Sequence, residues 1–197
     1  MREIYRQTIH LIAGILIAFS VLIFKKLLII PLIISIVVGI GLYFLCKKYY
    51  IPIISDLLNL CKREKEDGKG AIYFAFGMLL SLILIDDINA IFFGILVFAV
   101  GDALATIVGI RGKIKINYFG KTIEGFLAFF ISTSLILYQF YGIYGIFVAL
   151  ISAFVEFISK KIKIDDNLYL PFIVAFILSI YPYKPQLSHI PTFCSIL

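Results

Sequence analysis

The sequence predicts an all-α membrane protein, a polytopic bundle of about seven transmembrane helices formed by a single domain over residues 1–197. Of the 197 residues, 62% are hydrophobic and 15% are charged, and the mean hydropathy is +1.06. A soluble globular domain carries about 25% charged residues, so this composition excludes an ordinary soluble fold. The net charge of +6 does not indicate a nucleic-acid partner, because the basic residues stand between apolar segments. Membrane topology and anionic lipid headgroups account for them there.

Seven apolar runs predict the individual helices. They are Thr8–Phe24, Leu27–Cys46, Gly70–Ile85, Ile88–Ile110, Thr122–Tyr138, Ile143–Ser159 and Leu168–Tyr181. A helix needs about 20 residues to cross ~30 Å of hydrocarbon, so the third and seventh runs are short and we expect them to lie among their neighbours or in a thinned region. The segment Ile51–Leu60 is typical of an interfacial helix, and the tail at about 184–197 is expected to be weakly structured.

The basic residues predict a cytoplasmic N-terminus. With that orientation, all but three of the 18 Lys and Arg residues lie on the cytoplasmic side, and Lys25, Lys26 and Lys184 lie outside. The acidic turn Asp86-Asp87 and the C-terminus also fall outside. We therefore expect a multi-pass protein of the cell membrane whose polar clusters face the cytoplasm.

Three carboxylates, Asp102, Glu124 and Glu156, stand within strongly apolar runs. A charged side chain at bilayer depth costs about 3 kcal/mol, and such residues usually mark a site or a pathway. Asp102 is the deepest of them, because it lies nine residues before Arg111, roughly 13 Å along a helix. The neighbouring Gly101 is explained by close helix packing, but the aspartate requires a cation, a proton or a metal ion.

The segment Gly120–Gly125, of sequence GKTIEG, is predicted to open the fifth helix. It is not a Walker A motif, since Lys115 occupies the position where that motif needs its first glycine. Two interpretations stay open. The lysine and the N–H groups of a helix N-terminus favour an anion; alternatively, Thr122 is an ordinary N-cap with Glu124 in the favourable first turn.

Two further polar clusters lie at predicted cytoplasmic helix ends. Arg6 and His10 are four residues apart, on one face of the first helix, as a topological anchor or as part of a site. The segment Asp165-Asp166-Asn167 is typical of an N-cap, and its oxygen atoms also suit Mg²⁺ held together with nucleotide phosphates. Carboxylates for a divalent cation and basic groups for phosphates favour nucleotide-dependent phosphoryl transfer to a lipid alcohol.

Two of these segments carry a family resemblance. Gly101–Gly109, of the type GDxxAxxxG, and Gly120–Gly125, of the type GKTxEG, resemble the polyprenol kinase family, which includes dolichol kinase, phytol kinase and the CTP-dependent diacylglycerol kinase of yeasts. The resemblance runs from residue 4 to about residue 175. It also includes Arg6, His10, Lys69–Phe74, Glu156 and Asp165–Leu168.

The resemblance implies a CTP-dependent, Mg²⁺-requiring kinase that converts a membrane alcohol such as dolichol, geranylgeraniol or phytol to its monophosphate. The catalytic candidates that it implies are Asp102, Lys121, Arg6 and His10. The candidates for binding the nucleotide are Gly101, Gly109, Gly112, Lys113, Gly120, Lys121 and Thr122. The metal candidates are Asp102, Glu124, Glu156, Asp166 and Asn167. Gln7 departs from the family, which usually has lysine there, and this argues against a second cation beside Arg6.

Two other functions are compatible with the same residues. One is a CTP:phospholipid cytidylyltransferase, which releases pyrophosphate instead of CDP. The other is a small membrane transporter whose acidic residues line a pathway, although discontinuous helices near the midplane are typical of that class and the polar groups here gather towards one face. The sequence leaves the oligomeric state and the particular lipid open.

Overall fold

The computed structural model describes residues 2–52, 54–56, 69–162 and 165–182, and helices dominate these residues. The elements are α1 (Arg2–Phe24), a 3₁₀ turn (Lys25–Leu28), α2 (Ile29–Lys48), α3 (Gly70–Leu84), α4 (Ile88–Arg111), β1 (Lys115–Ile116), β2 (Lys121–Thr122), α5 (Ile123–Ile162) and α6 (Asp166–Ser179). The all-α prediction is confirmed. Most of the predicted interfacial helix Ile51–Leu60, and the tail at 184–197, lie outside the described residues.

The longest helix, α5, is broken at Gly142. This residue has φ 56° and ψ −139°, a left-handed backbone conformation that glycine adopts without a steric penalty. The arms 123–141 and 143–162 fold back on each other, because the ring of Phe126 packs against Phe154 at 5.1 Å and against Phe157 at 5.5 Å. The two arms correspond to the fifth and sixth predicted runs.

Neighbouring segments run antiparallel, and this brings alternate helix ends together. Along α1 and α4, Phe19 packs against Phe92 at one end, with 5.5 Å between the ring centroids, and Gln7 reaches Asp102 towards the other. The turn between α3 and α4 lies at the same end as the turn between α1 and α2, because the Lys26 ammonium is 2.5 Å from Oδ1 of Asp86. We call the opposite end, which carries Gln7 and Asp102, the site end.

Helix α4 is the centre of the bundle, and α1, α5 and α6 all pack on it. Small residues permit these close approaches. A Cβ atom on Gly94 would lie 2.6 Å from the carbonyl oxygen of Pro171 and 2.8 Å from Cβ of Ala175, and one on Gly101 would lie 2.5 Å from the ring of Phe129. By contrast, α2 lies at the periphery, and Ile36 is its one buried residue.

Among the residues that the structure describes, three helical stretches are long and apolar enough to cross a membrane. They are Glu3–Lys48, which contains α1 and α2, Ile88–Arg111, and Ile123–Lys161, which contains both arms of α5. Helices α3 and α6 are apolar but shorter, with 15 and 14 residues. Many large apolar side chains on α1, α2 and α5 are exposed, which is the pattern of helices that face lipid.

Adding one methyl group inside the bundle tests this packing. We expect Gly94→Ala to lower the stability of the protein by about 1–3 kcal/mol, because its Cβ would overlap backbone atoms of α6. The matched control is Gly41→Ala in α2, where a Cβ would meet no atom within 4 Å. Thermal unfolding midpoints in detergent measure the difference, and equal midpoints for the two variants would contradict the packing described.

Candidate functional site

Three carboxylates from three different segments meet near the site end. Asp102 comes from the central helix α4, Glu156 from the second arm of α5, and Asp166 from the first turn of α6. Each offers one oxygen atom, and these atoms all lie within 4.8 Å of one another. Their exposed fractions are 5%, 4% and 8%. We call these three residues the carboxylate group; all three are among the metal candidates that the sequence predicts.

A lysine in β2, just before the first arm of α5, bridges this group. Lys121 Nζ donates to the backbone carbonyl of Glu156, to its Oε1 at 2.5 Å and to Ser159 Oγ at 2.8 Å, and it lies 4.0 Å from Asp166 Oδ2. The fold-back at Gly142 places the two arms side by side and so brings this lysine to Glu156. An ammonium has three N–H donors, and these three contacts use them.

The charges of the site favour a cation. Three ionised carboxylates and one ammonium leave two negative charges in a buried place, which is unfavourable unless a positive charge or protons balance them. His10 Nε2 lies 4.0 Å from Asp102 Oδ2, so its protonation offers at most one further positive charge. The carboxylate group therefore fits a divalent metal ion, which prefers oxygen ligands of this kind.

Sequence reasoning missed the role of Gln7, which it treated only as a departure from a family pattern. Gln7 is fully buried, and its Nε2 donates to Asp102 Oδ2 at a long 3.5 Å. It belongs to the buried stripe of α1 that continues through Gly14, Ala18 and Val21. A polar residue on a stripe of helical spacing is a sequence signal that could have identified it.

Ser159 is the second residue that sequence reasoning missed. Its hydroxyl oxygen accepts from the Lys121 ammonium and its O–H donates to Asp166 Oδ2 at 3.0 Å, so it joins the second arm of α5 to α6. Ser159 lies three residues after Glu156, on the same face of the helix. That spacing was the available signal, but serine is common in membrane helices and carries little information alone.

Of the predicted pair on α1, His10 lies beside the carboxylate group and Arg6 pairs locally. The imidazole approaches Asp102 and packs edge-on against the rings of Phe98 and Phe74, at 5.0 and 6.0 Å between centroids. The guanidinium of Arg6 donates to Glu3 Oε1 at 2.5 Å, and its Nε is buried without a partner among the described residues.

The segment Gly120–Gly125, for which an anion site and an N-cap were both open, has a structural role in this conformation. Lys121 and Thr122 do not open the helix but form β2, which pairs with β1, and α5 begins at Ile123. Thr122 Oγ1 accepts from the N–H of Gly125 at 3.2 Å, as an N-cap does, and lies 3.5 Å from the carbonyl of Gly109. The geometry therefore favours the N-cap interpretation.

The other glycines of the predicted nucleotide site have roles in packing or in the backbone turn. A Cβ on Gly112 would lie 2.8 Å from the side chain of Thr122, and Gly101 and Gly109 lie in the α4–α5 interface. Gly120 has φ 62°, which the turn between β1 and β2 requires and glycine supplies. The side chain of Lys113, by contrast, is exposed beside this loop.

One predicted metal candidate, Glu124, does not join the carboxylate group. Oε1 of Glu124 accepts from the backbone N–H groups of Lys113 and Ile114, at 2.7 and 3.1 Å, so this carboxylate holds the loop after α4. Asp165 lies immediately before α6 and is its N-cap. Its side chain accepts from the backbone N–H of Asn167, another predicted metal candidate, at 3.0 Å. A cap residue and a buried carboxylate thus stand next to each other in the chain with different roles.

The fold and site define a class: an all-helical protein with helices of membrane-spanning length and three buried carboxylates that could hold a metal ion. The chain is 86% identical over 179 residues to the uncharacterized protein MJ1137 of Methanocaldococcus jannaschii, covering 91% of this chain and 94% of that protein. It is 30% identical over 146 residues to the uncharacterized protein RP860 of Rickettsia prowazekii, covering 70% and 71%. The chain belongs to the family of these proteins. Neither a protein-family model nor a solved structure matches it.

Removing the bridging lysine tests the charge balance. We expect Lys121→Ala to destabilise the protein by about 3–5 kcal/mol, because it leaves Glu156 and Asp166 buried without their counterion. Lys26→Ala is the control, since its pair with Asp86 is exposed and such pairs contribute about 0–1 kcal/mol. Unfolding midpoints in detergent give the comparison; a loss no larger than that of the control would show that Lys121 does not balance the group.

Proposed function

We propose that this protein is a CTP-dependent kinase that transfers a phosphoryl group to an isoprenoid alcohol in the membrane, of the dolichol, geranylgeraniol or phytol type. The observation that carries the proposal is the buried carboxylate group near one end of a bundle of apolar helices. Such a group suits a metal-dependent reaction on a substrate whose reactive end lies near the polar zone and whose body is apolar.

Asp102, Glu156 and Asp166 would hold Mg²⁺, which supplies neutralisation of phosphate charge when it is bound. The fit rests on the two negative charges that Lys121 leaves unbalanced. In the reaction, the hydroxyl oxygen of the lipid forms a bond to the γ-phosphorus of CTP, the bond between that phosphorus and the β-phosphate oxygen breaks, and CDP leaves. The hydroxyl proton passes to a carboxylate, for which Asp102 is suited because it lies deepest in the bundle.

The triphosphate would approach from the loop between α4 and α5. Three exposed basic side chains lie there, at the last residue of α4 and just after it. They are Arg111, Lys113 and Lys115. Exposed cations at this position attract the phosphates of a nucleotide. Lys121 has a different place, because its ammonium is saturated by Glu156 and Ser159.

The two segments that resemble the polyprenol kinase family also support the proposal. They lie on either side of the loop between the consecutive helices α4 and α5, and they pack on each other, because Gly109 of the first lies against Thr122 and Gly125 of the second. A joint structural unit explains why both patterns occur together in one chain. The active end would face the cytoplasm, where CTP is present.

We further propose seven membrane crossings, with the N-terminus in the cytoplasm and the protein in the cell membrane. The segments are α1, α2, α3, α4, the two arms of α5, and α6. The antiparallel alternation of neighbouring segments supports a chain that crosses back and forth, and the basic residues gather at the site end. The short helices α3 and α6 would cross among their neighbours.

The kinase is tested with purified protein in detergent, Mg²⁺ and γ-³²P-labelled CTP, with geranylgeraniol, dolichol, phytol or diacylglycerol as acceptor. We expect label to move into an isoprenoid alcohol, and Asp102→Asn to lower turnover by about 10²-fold or more because it removes a carboxylate from the site. The control is Asp86→Asn at the opposite end, where the aspartate is exposed.

The products separate the proposed function from its alternatives. Label released as pyrophosphate in the presence of a phospholipid would indicate a cytidylyltransferase, and the kinase would be rejected. Wild-type turnover in Asp102→Asn would contradict the assignment of the site. An absence of turnover with every acceptor, together with substrate-dependent flux in proteoliposomes, would indicate a transporter.

The topology is tested by cysteine labelling in intact cells, in a variant whose three natural cysteines are replaced by serine. A membrane-impermeant maleimide should label Asp86→Cys from outside and should label Asn117→Cys only after the membrane is permeabilised. The reason is that residue 86 lies in the α3–α4 turn and residue 117 in the loop at the site end. Labelling of residue 117 in intact cells would reject the proposed orientation.

A further inference from the structure

The side chain of Gln7 has one amide atom with a partner and one without. It is fully buried, and it contacts Oδ2 of Asp102 at 3.5 Å. An ionised carboxylate can only accept a hydrogen bond, so the amide NH₂ faces Asp102 and Oε1 faces away. That Oε1 is buried and accepts no hydrogen bond from the described residues.

A buried amide oxygen without a donor is unfavourable, and native proteins rarely leave one unsatisfied. Packing alone does not require an amide here, because an apolar residue of similar volume would fill the same position on the buried stripe of α1. A donor supplied by a bound molecule would satisfy this oxygen. The site is therefore suited to a ligand that donates one hydrogen bond beside Asp102.

The surroundings of Gln7 indicate which kind of donor fits. One turn further along α1, His10 packs against the rings of Phe98 and Phe74, which stack on each other with 5.4 Å between centroids. Gln7 thus lies beside Asp102 of the carboxylate group, one turn before the residue that makes the aromatic, apolar contact. The amide oxygen carries no charge, so a free cation is drawn to the carboxylates instead. An uncharged hydroxyl group on an apolar molecule suits both the amide oxygen of Gln7 and the aromatic rings nearby.

We propose that Oε1 of Gln7 accepts the hydrogen bond of the lipid's hydroxyl group and so selects an alcohol over an analogue without that donor. The inference rests on the proposed lipid-alcohol substrate and assigns the residue that recognises its reactive end. Gln7 would hold the hydroxyl next to Asp102, and its own NH₂ would keep that carboxylate turned towards the substrate.

The test is equilibrium binding of tritiated geranylgeraniol to the protein in nanodiscs, in competition with unlabelled geranylgeraniol or with geranylgeranyl methyl ether. The ether keeps the chain and loses the O–H donor. We expect the wild type to prefer the alcohol by about tenfold, the ratio that one hydrogen bond supplies, and Gln7→Leu to bind the two ligands equally. Gln7→Asn, which keeps the amide but withdraws it by one methylene, should lose most of the preference.

Thr8→Val is the matched control, because Thr8 is on the exposed face of the same turn and its hydroxyl donates to the carbonyl of Ile4. It should keep the wild-type preference. Unfolding midpoints and the Mg²⁺ concentration for half-maximal turnover are measured for each variant. A preference retained in both Gln7 variants would overturn the proposal, as would an unchanged preference with a raised Mg²⁺ requirement, which would make Gln7 a metal ligand.

Different experimental results would contradict the role of Gln7 and the kinase activity. Turnover with γ-³²P-labelled CTP by a wild type that does not distinguish the alcohol from the ether would overturn the role of Gln7 and leave the kinase standing. A preference for the alcohol that depends on Gln7, without turnover, would overturn the kinase and support a protein that binds lipid alcohols by this residue.

Discussion

The burial of three carboxylates with one lysine is the constraint on which the site depends. Asp102, Glu156 and Asp166 repel one another at the distances observed, and they are shielded from water. The Lys121 ammonium offsets part of this repulsion and at the same time ties β2, just before the first arm of α5, to the second arm and to α6. Because one lysine does not balance three carboxylates, the site is still negative, and the proposed metal ion would complete its charge balance.

The geometry of this site follows from small residues that let helices approach α4. Gly94 lies against α6 and Gly101 against α5, on the central helix that also carries Asp102. Larger residues would move these helices apart by the thickness of a side chain. The carboxylates would then no longer lie within reach of one ion. Packing in the apolar part of the bundle and the chemistry near its end are therefore parts of one arrangement.

The proposed reaction divides its substrates between two environments that the bundle provides. Exposed basic residues such as Lys113 lie on the loop after α4, and the aromatic contact of His10 with Phe98 lies on the apolar side of the carboxylate group. A nucleotide suits the first environment and a lipid alcohol suits the second. Gln7 lies beside Asp102, where the reacting hydroxyl of the proposed substrate would lie.

The sequence by itself determined the all-α class, the approximate bounds of most helices, the separation of the fifth and sixth apolar runs, and the exceptional position of Asp102 and Glu156 within apolar segments. These are local properties, because hydropathy, glycine conformation and a charge within an apolar run are read from adjacent residues. The tertiary structure decided that Asp166 joins the carboxylate group while Glu124 holds a loop, and that Lys121 is a counterion instead of the end of a phosphate loop. Those choices depend on which helix faces meet after the arms of α5 fold back, and spacing within one segment does not encode contacts between segments.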